Sequence, residues 1–216
     1  MTEATEWTAP QSAFLLEKPL IEVKRAIDRG VVRATVVERG RIKGRRLRVG
    51  DLVYLQASSR LAEKLTPSAR NDLYDQLRDV GALKGMPRRI KLSWGTVDIA
   101  PDVDAIAKRI NLLHRVEDRV SHSASGEPLI PATTVEIYRI AALLDGGATV
   151  DDVLHEFPSL TAEQVDQARA YAAIHPKRGR PFPKKGLKRS LQDLGLDMLD
   201  EVLGVPDCAG IDEAEE

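Results

Sequence analysis

Six of the ten residues from Arg39 to Arg48 are basic: Arg39, Arg41, Lys43, Arg45, Arg46 and Arg48. Further on, the stretch HPKRGRPFPKKGLKRS, residues 175–190, carries seven Lys or Arg and no acid. Guanidinium and ammonium groups at this density suit the neutralisation of phosphate or carboxylate oxygens. Catalytic groupings are missing from the sequence: no Gly-rich phosphate loop is present, and no nucleophile stands beside a base. Four scattered histidines and the single Cys208 offer no metal-ligand spacing and no disulfide. The expectation is a non-enzymatic binding protein that needs neither cofactor nor metal.

A net charge of −1 hides strong segregation. Phe14 to Arg60 holds twelve Lys/Arg against five Asp/Glu, whereas Thr133 to His175 holds two against seven. Residues 177–189 are purely basic in charge, and nine acids with no base follow them. A nucleic-acid binder needs its positive charge gathered on one surface, and the first block meets that requirement. The polar start MTEATEWTAPQ lacks the basic-then-apolar order of a signal peptide, and no apolar run approaches a membrane span. These features predict a cytoplasmic protein without membrane contact.

The elements that must carry the basic groups follow from caps and periodicity. TAPQSAFLLEKPLIEVKRAIDRG reads as two short helices, the first capped by Thr8 with Gln11, the second running from Pro19 to Gly30. A tight turn at Glu17 and Lys18 joins them. Phe14, Leu15, Leu20, Val23 and Ile27 share an inner face, leaving Glu22, Lys24, Arg25, Asp28 and Arg29 outward. That is a helix-turn-helix layout. Two β-rich runs follow, Val31 to Val37 and Arg45 to Val49, and their basic Gly-containing turn predicts a hairpin that would act as a wing. The DNA-contact candidates here are Lys24, Arg25 and Arg29 on the second helix, with Arg39, Arg41, Lys43, Arg45, Arg46 and Arg48 on the wing. A solvated hairpin that uses its charge only for solubility is the alternative.

Two further helices, with Leu52, Leu55, Leu61, Leu65, Leu73, Leu77 and Val80 as their stripe, should buttress this unit. RRIKLSWGTVDIAPD predicts a hairpin turning at Gly95, then a helix from Asp102 to about Asp118 with Val103, Ile106, Ile110, Leu113 and Val116 on one face. The polar segment SHSASGEPLIP marks a boundary. Beyond it, capping boxes at Thr133/Glu136, Thr149/Asp152 and Thr161/Gln164 predict helices over 135–145, 150–157 and 162–175. Their core should be Ile140, Leu143, Leu144, Val153, Leu154, Phe157, Leu160, Val165, Ala168 and Tyr171. The expected fold is mainly α with small β-hairpins: a winged helix-turn-helix unit over 1–120, a trihelical unit over 127–176, and a basic arm with an acidic tail over 177–216.

GEPLIPATTVEIYRIAALLDGGATVDDVLHEFPSLTAEQVDQARAYAAIHPKRGRP resembles the bacterial domain-of-unknown-function family numbered four-three-three. That family is a homeodomain-like trihelical module found in antitoxins paired with PIN-domain ribonuclease toxins. WTAPQSAFLLEKPLIEVKRAIDRG with its wing is similar to the extra N-terminal DNA-binding domain of a VapB-type subgroup. The resemblance implies an antitoxin that neutralises a PIN-domain ribonuclease toxin, binds operator DNA to regulate its own operon, and assembles as a homodimer. A stand-alone dimeric transcription regulator is the rival. Where the family usually carries a Gly-Thr-Arg turn, this chain has Ala132, Thr133 and Thr134. Glu163 and Asp166 on the would-be recognition helix would repel phosphates, so the trihelical unit reads as a dimerisation or partner-docking element, or as a helical scaffold with no surface role.

Arg178, Gly179, Arg180 and Pro181 resemble an AT-hook, whose two arginines follow a narrow minor groove. The same arginines could instead enter the acidic site of a PIN-type nuclease, or serve only as a solvated linker. After them, Leu187, Leu191, Leu194, Met198 and Val202 fall on one helical stripe interrupted by Gly195. They are the toxin-binding candidates, in a helix-in-groove mode. A strap against the chain's own trihelical unit is the other reading.

Overall fold

Helix starts and stops in this chain are written in local hydrogen-bond chemistry. In the computed structural model, which describes residues 6–39, 42–92 and 95–177, a short strand β1 (Glu6–Thr8) runs directly into helix α1 (Ala9–Leu16). The Gln11 side chain accepts from the Thr8 backbone N–H at 2.9 Å while Thr8 Oγ1 faces Gln11 N, completing the expected capping box. Glu17 adopts the left-handed conformation at φ 51°, and its N–H returns to the carbonyls of Ala13 and Phe14. Three residues on, Leu20 opens α2 (Leu20–Asp28), with Val23 as its buried residue and Glu22, Lys24, Arg25 and Asp28 exposed. The two-helix layout read from the sequence is present.

The hairpin is present as well, but it belongs to a larger sheet. Strands β2 (Thr35–Arg39) and β3 (Ile42–Arg48) pair antiparallel, and β1 adds to the free side of β3, giving the order β1-β3-β2. Trp7 stands opposite Leu47, and both are buried. The sequence predicts a first run from Val31 and a second from Arg45. The ladder instead starts at Thr35 and ends at Arg48, because Val49 already opens the next helix.

That helix, α3 (Val49–Arg60), is buried on nearly every side, and α4 (Pro67–Leu77) crosses it so closely that Gly50 touches the backbone of Leu77. A Cβ at position 50 would sit 1.9 Å from the Leu77 carbonyl oxygen. A second hairpin, β4 (Arg89–Leu92) and β5 (Gly95–Asp98), leads into the long α5 (Ala100–Asp118). Helix α5 begins two residues before the expected Asp102 and buries all five apolar residues named for its inner face. Asp102, 2% exposed, receives a forked pair from Arg60: Nε at 3.1 Å to Oδ1 and Nη2 at 2.6 Å to Oδ2. This fork fastens the end of α3 to the start of α5.

A two-residue ladder, β6 (Ser121–His122) with β7 (Pro128–Leu129), precedes helices α6 (Ile137–Asp145), α7 (Val150–Glu156) and α8 (Ala162–Ile174). The boxes at Thr149/Asp152 and Thr161/Gln164 form. The one expected at Thr133/Glu136 does not. Thr133 Oγ1 donates to the Ile130 carbonyl at 2.9 Å and accepts from Val135 N, so it closes a turn, and α6 starts at Ile137 rather than Val135. Two apolar cores result. The larger joins β1, α1 to α5 and Ile174; the smaller is built by Ile130, Ile137, Ile140, Leu143, Val153, Leu160, Val165 and Ala168. Tyr171 on α8 packs against both. The described part of the protein is therefore mainly helical with small antiparallel sheets, and no helix in it is long and apolar enough to cross a membrane.

Because the atoms facing Gly50 are backbone, no rotamer change can relieve a new methyl there. Gly50→Ala is expected to lower unfolding stability by ~3 kcal/mol, the upper end of overpacking costs, read as a shifted urea midpoint; a shift within ±0.5 kcal/mol would contradict the close approach.

Candidate nucleic-acid interface

Lys24 and Arg25 lie on the solvent side of α2 and Arg29 caps its C-terminal end, and within the described residues their side chains make no ion pair or hydrogen bond. A cation left without an acid partner keeps its full charge for a ligand. On the sheet, cross-strand alternation puts Arg46 on the side away from Leu47, flanked by Thr8 on β1 and Thr35 on β2. Arg46 is half-buried and likewise unpaired. Two other candidates are engaged within the chain. Arg45 binds Asp28 of α2, and Arg48 Nε lies 3.5 Å from Glu6 Oε1. Both pairs are exposed enough to exchange partners cheaply, since surface ion pairs contribute about 0–1 kcal/mol. Arg39 and Lys43 are strand residues of the hairpin. Arg41, Arg178, Arg180 and the stripe Leu187, Leu191, Leu194, Met198 and Val202 lie outside the described residues.

What sets the hairpin's angle is a buried polar chain that the sequence reading missed. Asp51, 2% exposed, accepts from Arg48 N at 2.8 Å and from the Tyr74 hydroxyl at 2.8 Å. The Tyr74 oxygen in turn accepts from Arg33 N at 2.6 Å. One carboxylate thus reaches both ends of the hairpin: the residue closing β3 directly, and the residue leading into β2 through one tyrosine. Burial raises the Asp51 pKa despite those two donors, and burial together with the Asp51 hydrogen bond pushes Tyr74 up to about 12. The Arg48-to-Asp51 spacing is that of a capping box with an acid at its third helical position, and this was the available signal. Arg48 is not a usual cap residue, so the pattern is easily passed over.

A second joint links the two cores. Glu117 near the end of α5 meets His175 Nε2 at 2.8 Å and accepts from Gln11 Nε2 at 3.3 Å. Burial works to raise the Glu117 pKa, but the hydrogen bond and charge of His175, helped by Gln11, outweigh it and the net shift is downward. The Tyr138 hydroxyl donates to the His175 carbonyl at 2.8 Å, and Lys177 lies over the Tyr138 ring and 3.1 Å from Glu127. The chain therefore leaves α8 from an anchored position. Glu163, one of the two acids noted on α8, pairs with Arg119 at 2.9 Å, and Asp166 is exposed. No cluster of three or more His, Cys, Asp or Glu is placed to hold a metal among the described residues.

Residues 121–172, which run from β6 to within two residues of the end of α8, match a family model described as a protein of unknown function, DUF433. The chain is 33% identical over 88 residues to the uncharacterized protein y4eO of Sinorhizobium fredii, a match covering 39% of this chain and 40% of that protein. It thus spans less than half the length of that relative. No solved structure matches the chain.

A carboxylate whose folded pKa is depressed stabilises the protein fully above its unfolded value and loses that contribution as pH falls through the folded value. Glu117→Gln should therefore cost ~1.5 kcal/mol near neutral pH, as for a hydrogen bond to a charged group. It should also flatten the loss of stability on acidification below the ordinary value of 4.5. Urea melts across an acid pH series read both effects; an unchanged acid slope would remove Glu117 as the source.

Proposed function

We propose that the chain is a DNA-binding protein whose N-terminal unit works as a winged helix-turn-helix. Helix α2 would enter the major groove, and the β2–β3 hairpin would lie along the flanking backbone. The observation that carries this reading is the exposed side of α2 and its C-terminal cap, where Lys24, Arg25 and Arg29 stand with no internal partner among the described residues. The three-residue turn between α1 and α2 and the basic hairpin that follows support it. Arg25 and Lys24 are the base-reading candidates and Arg46 a phosphate contact. Arg45 and Arg48 would exchange Asp28 and Glu6 for phosphates when DNA arrives. This chain would work by binding, without cofactor or catalysis, in the cytoplasm.

Within that reading the protein is the antitoxin of a pair with a PIN-domain ribonuclease. Support comes from the sequence resemblance of residues 126–181, and of the N-terminal helices with their hairpin, to such antitoxins. Toxin contact then falls to the segment after Lys177, and the trihelical unit serves dimerisation. Co-purification from the native cell is the direct test: a small acidic nuclease that travels with the full chain, but not with one truncated after Pro176, is the expected result. Recovery of a dimer alone would favour the stand-alone regulator.

The DNA arm has its own measurement. On a duplex selected from a random-sequence pool, Arg25→Ala should cost ~1–3 kcal/mol and relax the preference at one position. Arg46→Ala should weaken binding to every duplex alike and reduce the log–log salt slope by ~0.9. Equal effects of both variants on selected and random duplexes would leave α2 as a backbone contact only.

A further inference from the structure

Between the segment that leaves α2 and the first turns of α4 lies a cavity of about 480 Å³, lined by Arg33, Tyr54, Arg70, Asn71 and Tyr74 among others. That volume falls in the range of small-molecule sites. Its polar groups are mostly donors, and several are unused. Arg70 Nη2 donates to the Ala62 carbonyl at 2.6 Å, but Arg70 Nε is buried with no acceptor. A buried guanidinium N–H without a partner is costly and calls for an acceptor. The Tyr54 ring packs 4.8 Å from Tyr74, and the Tyr54 hydroxyl has no hydrogen-bond partner. Arg33 is exposed and unpaired. The one acid in the lining, Asp75, is taken by Arg78 at 3.1 Å.

We propose that this cavity binds a small organic oxyanion, a carboxylate or a phosphate ester, with Arg70 and Arg33 on the anionic group and the Tyr54 hydroxyl as a further donor. Charge decides the class: the unpaired Arg33 guanidinium and the unsatisfied Arg70 Nε–H share the lining with one acid, Asp75, which is paired with Arg78, so a neutral ligand would leave both donors as they are. Volume decides the size, since the cavity has room for an organic body against Val31 and Pro67. The Tyr74 hydroxyl is not available to the ligand, because it already donates to Asp51 and accepts from Arg33 N. Through that bond the ligand adjoins the hairpin: a shift of Arg33 toward an anion pulls on the same tyrosine that Asp51 ties to Arg48. Ligand binding does not depend on the DNA-binding proposal; an effect of the ligand on DNA affinity does.

Amide chemical shifts of the full chain, titrated with benzoate, phenyl phosphate and the neutral benzamide, provide the test. At least one charged probe should saturate, with shifts centred on Val31, Arg33, Arg70 and Tyr74, while benzamide leaves them unmoved. Tyr54→Phe removes a hydroxyl that has no internal partner, so it should keep the fold and weaken the probe about tenfold; Arg70→Met should do so at least as strongly. No saturable shift with either charged probe, equal binding of benzamide, or undiminished affinity in Tyr54→Phe would each overturn the site. Shifts at these amides produced by duplex DNA and by neither probe would assign the arginines to the DNA backbone and overturn it too.

Discussion

Because Asp51 is buried, its carboxylate must either receive donors or give up its charge, and both donors it receives belong to the geometry of the hairpin. The Arg48 N–H closes β3, and the Tyr74 hydroxyl, itself holding Arg33 N, fixes the approach to β2. The bonding is directional in a way that limits substitution. Tyr74 accepts from Arg33 and so must donate to Asp51, which leaves the acid to accept twice. An amide at that position has one acceptor oxygen for two donors. The close of β3, the approach to β2 and the Tyr74 side chain of α4 all meet at this one satisfied group. The Gly50 contact adds the steric half of the same constraint, since α4 can come near enough for Tyr74 to reach Asp51 only where α3 has no side chain.

Local signals in the chain were readable wherever one turn of helix decides the outcome. Thr8 with Gln11, Thr149 with Asp152 and Thr161 with Gln164 cap the helices they predict, and the five apolar residues of α5 all face inward. Misreadings arise where a distant partner decides. Strand β1 is only Glu6–Thr8, too short to show alternation, and it exists because β3 presents a free edge to it. At Thr133 the competition is local instead: it has the residue type and spacing of a cap, yet the Ile130 carbonyl three residues back takes its hydroxyl. For the candidate interface, the basic residues were visible from composition alone. Which of them are already engaged was not, because Asp28 and Glu6 reach Arg45 and Arg48 only through the fold.

The two cores are joined more firmly than the polar segment between them suggests. Ile174 belongs to the larger core although its helix helps to build the smaller one, and Tyr171 touches both. The contacts of Glu117 with Gln11 and His175 place one carboxylate among α1, α5 and the end of α8. Reorientation of the trihelical unit would therefore have to break a charged hydrogen bond and expose an isoleucine at once. Such a joint favours two discrete arrangements over a continuous range.

The packing of α8 on α1 also has a consequence for how the protein is made. Leu16 and Ile174 share one core although 158 residues separate them, and a contact of that span closes late and slowly. At a synthesis rate of about 5–20 residues per second, roughly 8 to 30 seconds pass between the emergence of α1 and that of its last partner. Through that interval the main contacts of α1 among the described elements come from α2, α3 and the small sheet, joined by α5 as it is made. The nascent N-terminal unit is thus an incomplete body on the ribosome, dependent for its finish on the segment made last among the described helices.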